Sequence, residues 1–158
     1  MNPQFYFKKA QKENWAIGQF NISNFEIFQA IIQAAKNLKS PIIIGTSEGE
    51  SKFIGLKQAV ALIRICREET GLPIFLNLDH GKSFGYIKKA IDAGYNAVHF
   101  DGAEWPLEKN IRETKKVIKY ARNLGVFVEG EVGVIGGVLT DPQDAQRFIR
   151  ETGIDSLA

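Results

Sequence analysis

Short apolar runs alternate along the chain with longer stretches in which apolar residues recur at helical spacing. The runs are nearly continuous in Ile, Val, Leu and Phe, as expected for strands that are buried on both faces of a parallel sheet. We predict strands at residues 16–20, 41–46, 73–78, 95–101 and 126–132, with a sixth beginning at Asp155. This regular alternation of strand and helix predicts an α/β fold.

Helix start and stop signals flank the intervening stretches. Asn24, Ser83 and Asp141 can each cap a helix by accepting a hydrogen bond from a backbone N–H of the first turn. Pro106 and Pro142 suit a first helical turn. Glycines that suit the left-handed residue after a last turn follow three of the stretches, at Gly94, Gly125 and Gly153.

Two architectures fit this pattern. A doubly wound parallel sheet of five strands matches the length of 158 residues. A (β/α)8 TIM barrel matches the pattern but needs about 250 residues. The last predicted strand enters at Asp155 with nothing after it, which favours a barrel truncated after about five βα units. We therefore expect residues 1–158 to form a single domain, an incomplete barrel.

Composition argues against several classes of function. The net charge is +2 and the 20 Lys and Arg residues are scattered, which argues against nucleic-acid binding. No run of about 18 apolar residues is present, so we predict no membrane span. The single cysteine, Cys66, cannot form an internal disulfide and lies on the apolar face of a predicted helix. A reducing cytoplasm is therefore the expected compartment.

Polar residues stand at the carboxyl end of each predicted strand, where both architectures place their sites. They are Asn21, Ser47, Asp79 with His80, Asp101 and Glu131. Any one of them could be an ordinary loop residue. Because the ends of parallel strands meet at one edge of a sheet, their repetition predicts that these side chains converge on one site.

Asp79 and His80 are the residues best suited to chemistry. A neutral imidazole is a common ligand for divalent metals, and a nearby carboxylate can act as a general acid or base. Asp101 and Glu131 could bind a cation together or share a proton. The alternative interpretations are a helix-capping aspartate beside a surface histidine, and a salt bridge at the rim. His99, two residues before Asp101, is predicted to be a hydrogen-bonded core histidine.

Taken in order, these segments resemble the class II fructose-bisphosphate and tagatose-bisphosphate aldolase family. The similarity runs through PIIIGTSEGE, LDHGKSF, AIDAGYNAVHFDG and VFVEGEVGVIGG, which begin at residues 41, 78, 90 and 126. Its most specific part is LDHGKSF followed by AIDAGY. The resemblance implies a (β/α)8 barrel, of which this chain holds the N-terminal portion.

The resemblance also implies a reaction. It is the reversible aldol cleavage of fructose 1,6-bisphosphate, or a related ketose bisphosphate, into dihydroxyacetone phosphate and an aldehyde. In that family a zinc ion polarises the ketose carbonyl, and no lysine Schiff base forms. By resemblance, Asp79 is the acid/base residue and His80 is a ligand of the zinc.

Four further residues have counterparts in the family. By resemblance, Asp101 and Glu131 match carboxylates at a second position for a divalent cation. Ser47 matches a serine that contacts the sugar phosphate substrate, and Asn21 lies near that substrate. The resemblance also implies that the full-length protein is a homo-oligomer.

The chain departs from the family in what it lacks. The zinc of the family needs two further histidines from later strands, in segments resembling HGxYK and HGGSG, whereas this sequence has 2 histidines in all. His80 alone would hold zinc weakly, because catalytic zinc sites typically have three protein ligands. The segments that hold the substrate phosphate are also absent. We therefore expect the chain by itself to be inactive.

Two other functions stay open at this point. The chain could be a half-barrel that pairs with another chain, or that binds a phosphorylated sugar without chemistry. It could also be a doubly wound domain in which Asp79, Asp101 and Glu131 only bind Mg²⁺.

Overall fold

Helices and strands alternate after an N-terminal helix in the computed structural model, which describes residues 3–134, 136–137 and 139–158. The helices are α1 (Pro3–Glu13), α2 (Phe25–Leu38), α3 (Glu48–Ile54), α4 (Leu56–Thr70), α5 (Phe84–Ala93), α6 (Leu107–Arg122) and α7 (Pro142–Thr152). The strands are β1 (Gly18–Asn21), β2 (Ile42–Ser47), β3 (Ile74–Gly81), β4 (Ala97–Phe100), β5 (Phe127–Gly130) and β6 (Ser156–Leu157).

The six strands form one parallel sheet in the order β1-β2-β3-β4-β5-β6. A doubly wound sheet reverses its strand order at a switch point. No reversal occurs here, so the doubly wound alternative is wrong. Sequential order is that of a barrel wall, which confirms the predicted truncated (β/α)8 barrel. The sixth strand is short and pairs with β5 through Glu129–Ser156 and Gly130–Leu157.

One face of the sheet is apolar and packs under the helices. Alternate strand residues on this face are buried and belong to one hydrophobic cluster with helix residues: Ile42, Ile44, Ile74, Leu76, Leu78, Val98, Phe100 and Val128. Burying one such side chain contributes roughly 1.5–3 kcal/mol relative to leaving it exposed. This outer face therefore supplies most of the driving force that holds the helices to the sheet.

The opposite face lines the concave interior and becomes more polar toward the carboxyl ends of the strands. At the amino end, a cavity of about 270 Å³ is bounded by Phe7, Ile43, Ala97 and Phe127 together with polar side chains. The polar side chains that line it are Gln19, Asn77, Glu129 and Ser156. The alternation of the strands thus directs apolar residues outward, while the inner face carries polar side chains among apolar ones.

The predicted helix caps are confirmed. The Asn24 side chain accepts a hydrogen bond from Ile27 N, and the Ser83 side chain accepts one from Tyr86 N. Asp141 does the same for α7, which has proline in its first turn. These caps satisfy backbone donors that a helix start would otherwise leave unpaired, so they fix where the helices begin.

Two helices and some strand limits differ from the predictions. Helix α1 was not predicted, and it closes the amino end of the interior by stacking Phe7 on Phe127 with ring centroids 4.2 Å apart. Helix α3, directly after β2, was also not predicted. Strand β1 begins two residues later than predicted and extends to Asn21, because its ladder with β2 runs from Gly18 to Asn21.

Among the residues that the structure describes, no helix is both long and apolar enough to cross a membrane. Cys66 lies on the buried face of α4, as predicted. Burial is also the main reason why the pKa of its thiol is raised, so this cysteine is an unreactive packing residue.

Candidate functional site

Asp79 and His80 are adjacent in sequence, yet both reach the concave interior at the end of β3. Consecutive residues of a regular strand point to opposite faces. Here the pairing of β3 with β4 shifts register between Leu78 and Gly81, and His80 has a left-handed φ of 50°. A bulge of this kind re-aims side chains. It brings both residues to one face at a backbone cost of roughly 1–2 kcal/mol.

Two amides from β1 hold the Asp79 carboxylate. Gln19 Nε2 donates to Oδ1 at 3.2 Å, and Asn21 Nδ2 donates to Oδ2 at 2.9 Å. Gln19 is fixed in turn by Asn77, whose Nδ2 donates to Gln19 Oε1 at 2.9 Å. Gly45 leaves the space for this arrangement, since a Cβ atom there would lie 2.1 Å from Asn21 Oδ1. The carboxylate is therefore presented in one orientation.

The surroundings of Asp79 favour its charged form. The His99 imidazole is the largest influence and lowers the pKa of Asp79, although its Nδ1 lies 3.7 Å from Oδ1, which is longer than a standard hydrogen bond. Burial opposes this effect, and the Asn21 amide and the His80 ring reinforce it. The pKa of Asp79 lies below its ordinary value, so the group is a carboxylate at neutral pH.

His80 faces two buried carboxylates. Its Nδ1 lies 2.8 Å from Asp101 Oδ2 and 3.4 Å from Glu131 Oε2. Each of the two carboxyl residues is 7% exposed. The predicted cluster of Asp79, His80, Asp101 and Glu131 is therefore brought together at one end of the sheet.

A lysine also enters this cluster. Lys82 Nζ lies 2.6 Å from Asp101 Oδ2. Burial would raise the pKa of Asp101, but hydrogen bonds from Lys82 and His80 outweigh it and hold that pKa below its ordinary value. The same contact with Asp101 is the main reason why the pKa of Lys82 is raised. The ammonium group thus partly neutralises the acidic cluster.

His99 lies beneath the cluster and is 3% exposed, as predicted for a core histidine. The predicted hydrogen bonding is wrong for one of its nitrogens. Nε2 and Glu131 Oε2 are 3.1 Å apart, but their alignment forms no hydrogen bond, and neither atom makes a hydrogen bond to another described residue. Burial would lower the pKa of His99, but the carboxylates of Asp79, Glu129 and Glu131 raise it above its ordinary value.

Ser47 ends β2 directly beside Asp79 in the sheet register. Its Oγ accepts a hydrogen bond from Glu50 N at 3.2 Å, and Glu50 Oε2 accepts one from Ser47 N at 2.7 Å. Glu50 also accepts from Ser23 Oγ at 2.9 Å and from Asn21 Nδ2 at 3.5 Å. The Ser47 hydroxyl thus serves as the cap of α3 and accepts this bond through its oxygen.

The side chains present fit a divalent metal. Ligand atoms of His80, Asp101 and Glu131 all lie within 4.8 Å of one another, and so do those of Asp79, His80 and His99. Imidazole nitrogens and carboxylate oxygens are the ligands that zinc and other divalent metals take. Glu131 Oε2 and His99 Nε2 are buried atoms of a kind that can bind a metal, and neither has a hydrogen bond among the described residues, a condition that a cation would relieve.

Comparison with known proteins agrees with this geometry. The family model described as "Fructose-bisphosphate aldolase class-II" matches residues 2–158. The chain belongs to the class II fructose-bisphosphate aldolase family. This confirms the resemblance that LDHGKSF and AIDAGY indicated, and it places the aldolase chain in a family of aldehyde-lyases.

Named relatives of this aldolase chain come from several bacteria. A probable fructose-bisphosphate aldolase of Bacillus subtilis is 41% identical over 162 residues, which cover 94% of this chain and 57% of the relative. A fructose-bisphosphate aldolase of Geobacillus stearothermophilus is 40% identical, with 95% of this chain and 57% of the relative covered. The chain thus spans little more than half the length of these relatives.

Solved structures show the same fold. The YdjI aldolase of Escherichia coli K12 superposes with a TM-score of 0.89 at 30% identity, covering 99% of this aldolase chain and 59% of the other. A putative fructose-1,6-bisphosphate aldolase of Coccidioides immitis gives a TM-score of 0.79 at 29% identity, with 98% and 58% covered. The six-stranded wall is therefore the first part of an aldolase barrel.

Sequence reasoning missed three contributors to this candidate site. Gln19 precedes Asn21 by two residues, so the period of a strand could have shown that both face the interior. Glu50 stands three residues after Ser47, which is the spacing of a capping box. Lys82 gave no signal, because only the bulge after Leu78 brings its side chain over Asp101.

Proposed function

We propose that this chain supplies the acid/base residue and part of the metal site of a metal-dependent ketose-bisphosphate aldolase. The reaction is the reversible cleavage of fructose 1,6-bisphosphate, or a related ketose bisphosphate, into dihydroxyacetone phosphate and an aldehyde. The observation that supports it best is the bulge that turns Asp79 and His80 to the same face. One adjacent pair then offers a carboxylate base and a metal-binding imidazole.

The metal that we propose is zinc, with a second divalent cation possible at the carboxylates. His80, Glu131 and Asp101 would hold the ion, and their ligand atoms lie close enough to share one. When bound, a divalent cation would supply Lewis-acid polarisation of the ketose carbonyl. Further ligands would come from segments that this chain does not contain.

Asp79 is assigned the proton transfer. In the cleavage direction its carboxylate accepts the proton of the hydroxyl that becomes the aldehyde carbonyl. The central carbon–carbon bond breaks as that carbonyl forms, and its electron pair goes to the dihydroxyacetone phosphate half. The lowered pKa of Asp79 keeps it ready to accept. In the condensation direction the same group returns the proton.

Asn21 and Ser47 are assigned to the substrate. Asn21 Nδ2 already contacts Asp79 at 2.9 Å, so a hydroxyl that approaches this carboxylate also approaches the amide. Ser47 lies beside Asp79 in the register, and a serine hydroxyl carries one hydrogen to donate. Both side chains would orient the sugar phosphate rather than react with it.

We also propose a cytoplasmic location and a homo-oligomeric full-length protein. The single buried cysteine, which needs no oxidising compartment, supports the first. The second rests on family resemblance alone.

A non-catalytic half-barrel that pairs with another chain is the second candidate. The observation that favours it is strand β1, all four residues of which are exposed. Beside it an apolar groove of about 360 Å³ is lined by residues that include Phe20, Ile31 and Leu38. An open strand edge next to an apolar groove suits the docking of further strands and helices.

An extension experiment separates the two candidates. The chain would be joined at Ala158 to the part of the Bacillus subtilis relative that lies beyond the matched 57%. We expect the extended protein to release dihydroxyacetone phosphate from fructose 1,6-bisphosphate, measured by coupled reduction with NADH, and to stop when EDTA is added. The unextended chain is the control and should show no turnover. A folded extended protein that is inactive in the presence of zinc, or active in EDTA, would contradict the proposal.

A further inference from the structure

We propose that His99 is a ligand of the divalent metal, and that this chain therefore contributes two histidines to the ion rather than one. The inference deepens the proposed function, on which it rests, because it concerns the same ion. Nothing in the family resemblance assigns His99 a role.

The first support is the unsatisfied state of the ring. His99 is 3% exposed, so water does not readily reach it. Its Nε2 has no hydrogen-bond partner within the part of the chain that the structure describes, and the same holds for Glu131 Oε2 opposite it. A histidine that served only to fill the core would bond its nitrogens, because an unpaired buried polar atom is costly.

The second support is spacing. Ligands at about 2.0–2.2 Å from one tetrahedral ion lie about 3.3–3.6 Å from each other. Glu131 Oε2 is 3.1 Å from His99 Nε2 on one side and 3.4 Å from His80 Nδ1 on the other. An ion between Glu131 Oε2 and His99 Nε2 would bond both atoms after small adjustments, and would replace a contact that now makes no hydrogen bond. His80 and His99 also offer ligand atoms within 4.8 Å of each other.

The third support is the other nitrogen of the ring. His99 Nδ1 faces Asp79 Oδ1 at 3.7 Å. A histidine that binds a metal commonly directs its second nitrogen toward a carboxylate, which selects the tautomer and orients the ring. Asp79 would therefore direct His99 Nε2 toward the ion while it remains available to the substrate.

The consequence concerns the chain by itself. His99 adds a second histidine to the ligands that His80 and the nearby carboxylates offer, and a catalytic zinc site typically has three protein ligands. The expectation that His80 binds zinc alone and weakly is then replaced by a site that binds zinc in the isolated chain.

Nuclear magnetic resonance of the ¹⁵N-labelled chain at constant pH tests this directly, because the sequence has only 2 histidines. We expect zinc to shift one ring nitrogen of each histidine to the position of a metal-bound nitrogen. If zinc shifts His80 but leaves both nitrogens of His99 unchanged, the inference is wrong and the proposed metal site stands. If neither histidine responds, both are wrong.

Variants give a second measurement. His99→Met keeps an uncharged side chain of similar length. Loss of a partner outside the ligand sphere lowers metal affinity roughly 10–100-fold, and this variant should weaken zinc binding by more than that. Thr46→Val is the matched control, since Thr46 is 0% exposed in β2 but bonds Tyr95 on the other face of the sheet. Its zinc affinity should equal that of the unmodified chain. A folded His99→Met chain whose zinc affinity stays within about threefold would overturn the inference.

Discussion

The two faces of the sheet are built on the same strands but meet different demands. On the outer face, Ile44, Leu76 and Val98 are buried in one hydrophobic cluster with residues of the helices. On the inner face, His99 and Glu131 are almost equally buried, yet carry polar atoms that find no hydrogen bond. Similar burial thus stabilises the fold on one side and costs stability on the other.

This difference shows where the function lies. A buried and unsatisfied polar group lowers stability by about 1–3 kcal/mol, so it persists only where something else needs it. The left-handed backbone of His80 adds to the cost at the same edge. Among the described residues of the sheet and its strand ends, the unsatisfied side chains of His99 and Glu131 both lie on the inner face, toward the carboxyl ends of the strands.

The largest effect is expected from shortening an outer residue. Phe100 is 0% exposed in the core, and Phe100→Ala should lower the free energy of unfolding by about 3–5 kcal/mol because it leaves a cavity. Urea denaturation followed by circular dichroism measures this. The inner-face control is Glu129→Gln, which still accepts the hydrogen bond from Ser156 and should cost less than about 1 kcal/mol. Equal losses in the two variants would remove the contrast between the faces.

A smaller effect is expected at alkaline pH, again from the outer side. Tyr95 is 1% exposed, and burial raises its pKa from 10.0 to about 12. The folded state favours the neutral phenol. Its contribution to the free energy of unfolding, roughly 2–3 kcal/mol, is therefore complete below pH 10 and is lost as the pH rises toward 12. Tyr95→Phe should abolish this alkaline loss, at a cost of about 1 kcal/mol for the bond to Thr46. An unchanged pH profile in the variant would contradict the assignment.

The smallest effect on stability is expected at the rim of the inner face. Lys82→Met removes an exposed partner of Asp101 and should change the free energy of unfolding by no more than about 1 kcal/mol. It should also strengthen the binding of divalent cations, because the ammonium no longer competes for the carboxylate. Lys88→Met is the control, since Lys88 pairs with Asp92 at the same 2.6 Å away from the cluster. Calorimetric titration with Mn²⁺ would show whether only the first variant gains affinity.

Much of the fold could be predicted from the sequence because its signals are local. Strand runs, caps such as Asn24 and Ser83, and the glycines after helices each act within a few residues. Helix α1 was not predicted, because its packing depends on Phe127, which lies more than a hundred residues away in the sequence. Strand order followed from the alternating pattern and from the resemblance rather than from any single residue.

The candidate site was predictable in its members but not in its geometry. Asp79, Asp101 and Glu131 could be expected to meet because they end adjacent strands. The bulge that turns His80 inward could not be predicted from the sequence, because the left-handed backbone conformation of this histidine depends on tertiary packing. The unpaired Nε2 of His99 is also a tertiary property, because it depends on how the Glu131 carboxylate is aligned.

The central claim is that Asp79 transfers the proton while His80 binds the metal. It is tested by measuring turnover and bound zinc together in the extended enzyme and in two variants of it. Asp79→Ala should lower kcat by about 10²–10⁴-fold while zinc stays bound at saturating concentration, because it removes the proton acceptor and no ligand of the ion. His80→Ala should lose most of the zinc, and the activity with it. Normal turnover in Asp79→Ala, or full zinc occupancy in His80→Ala, would contradict the account.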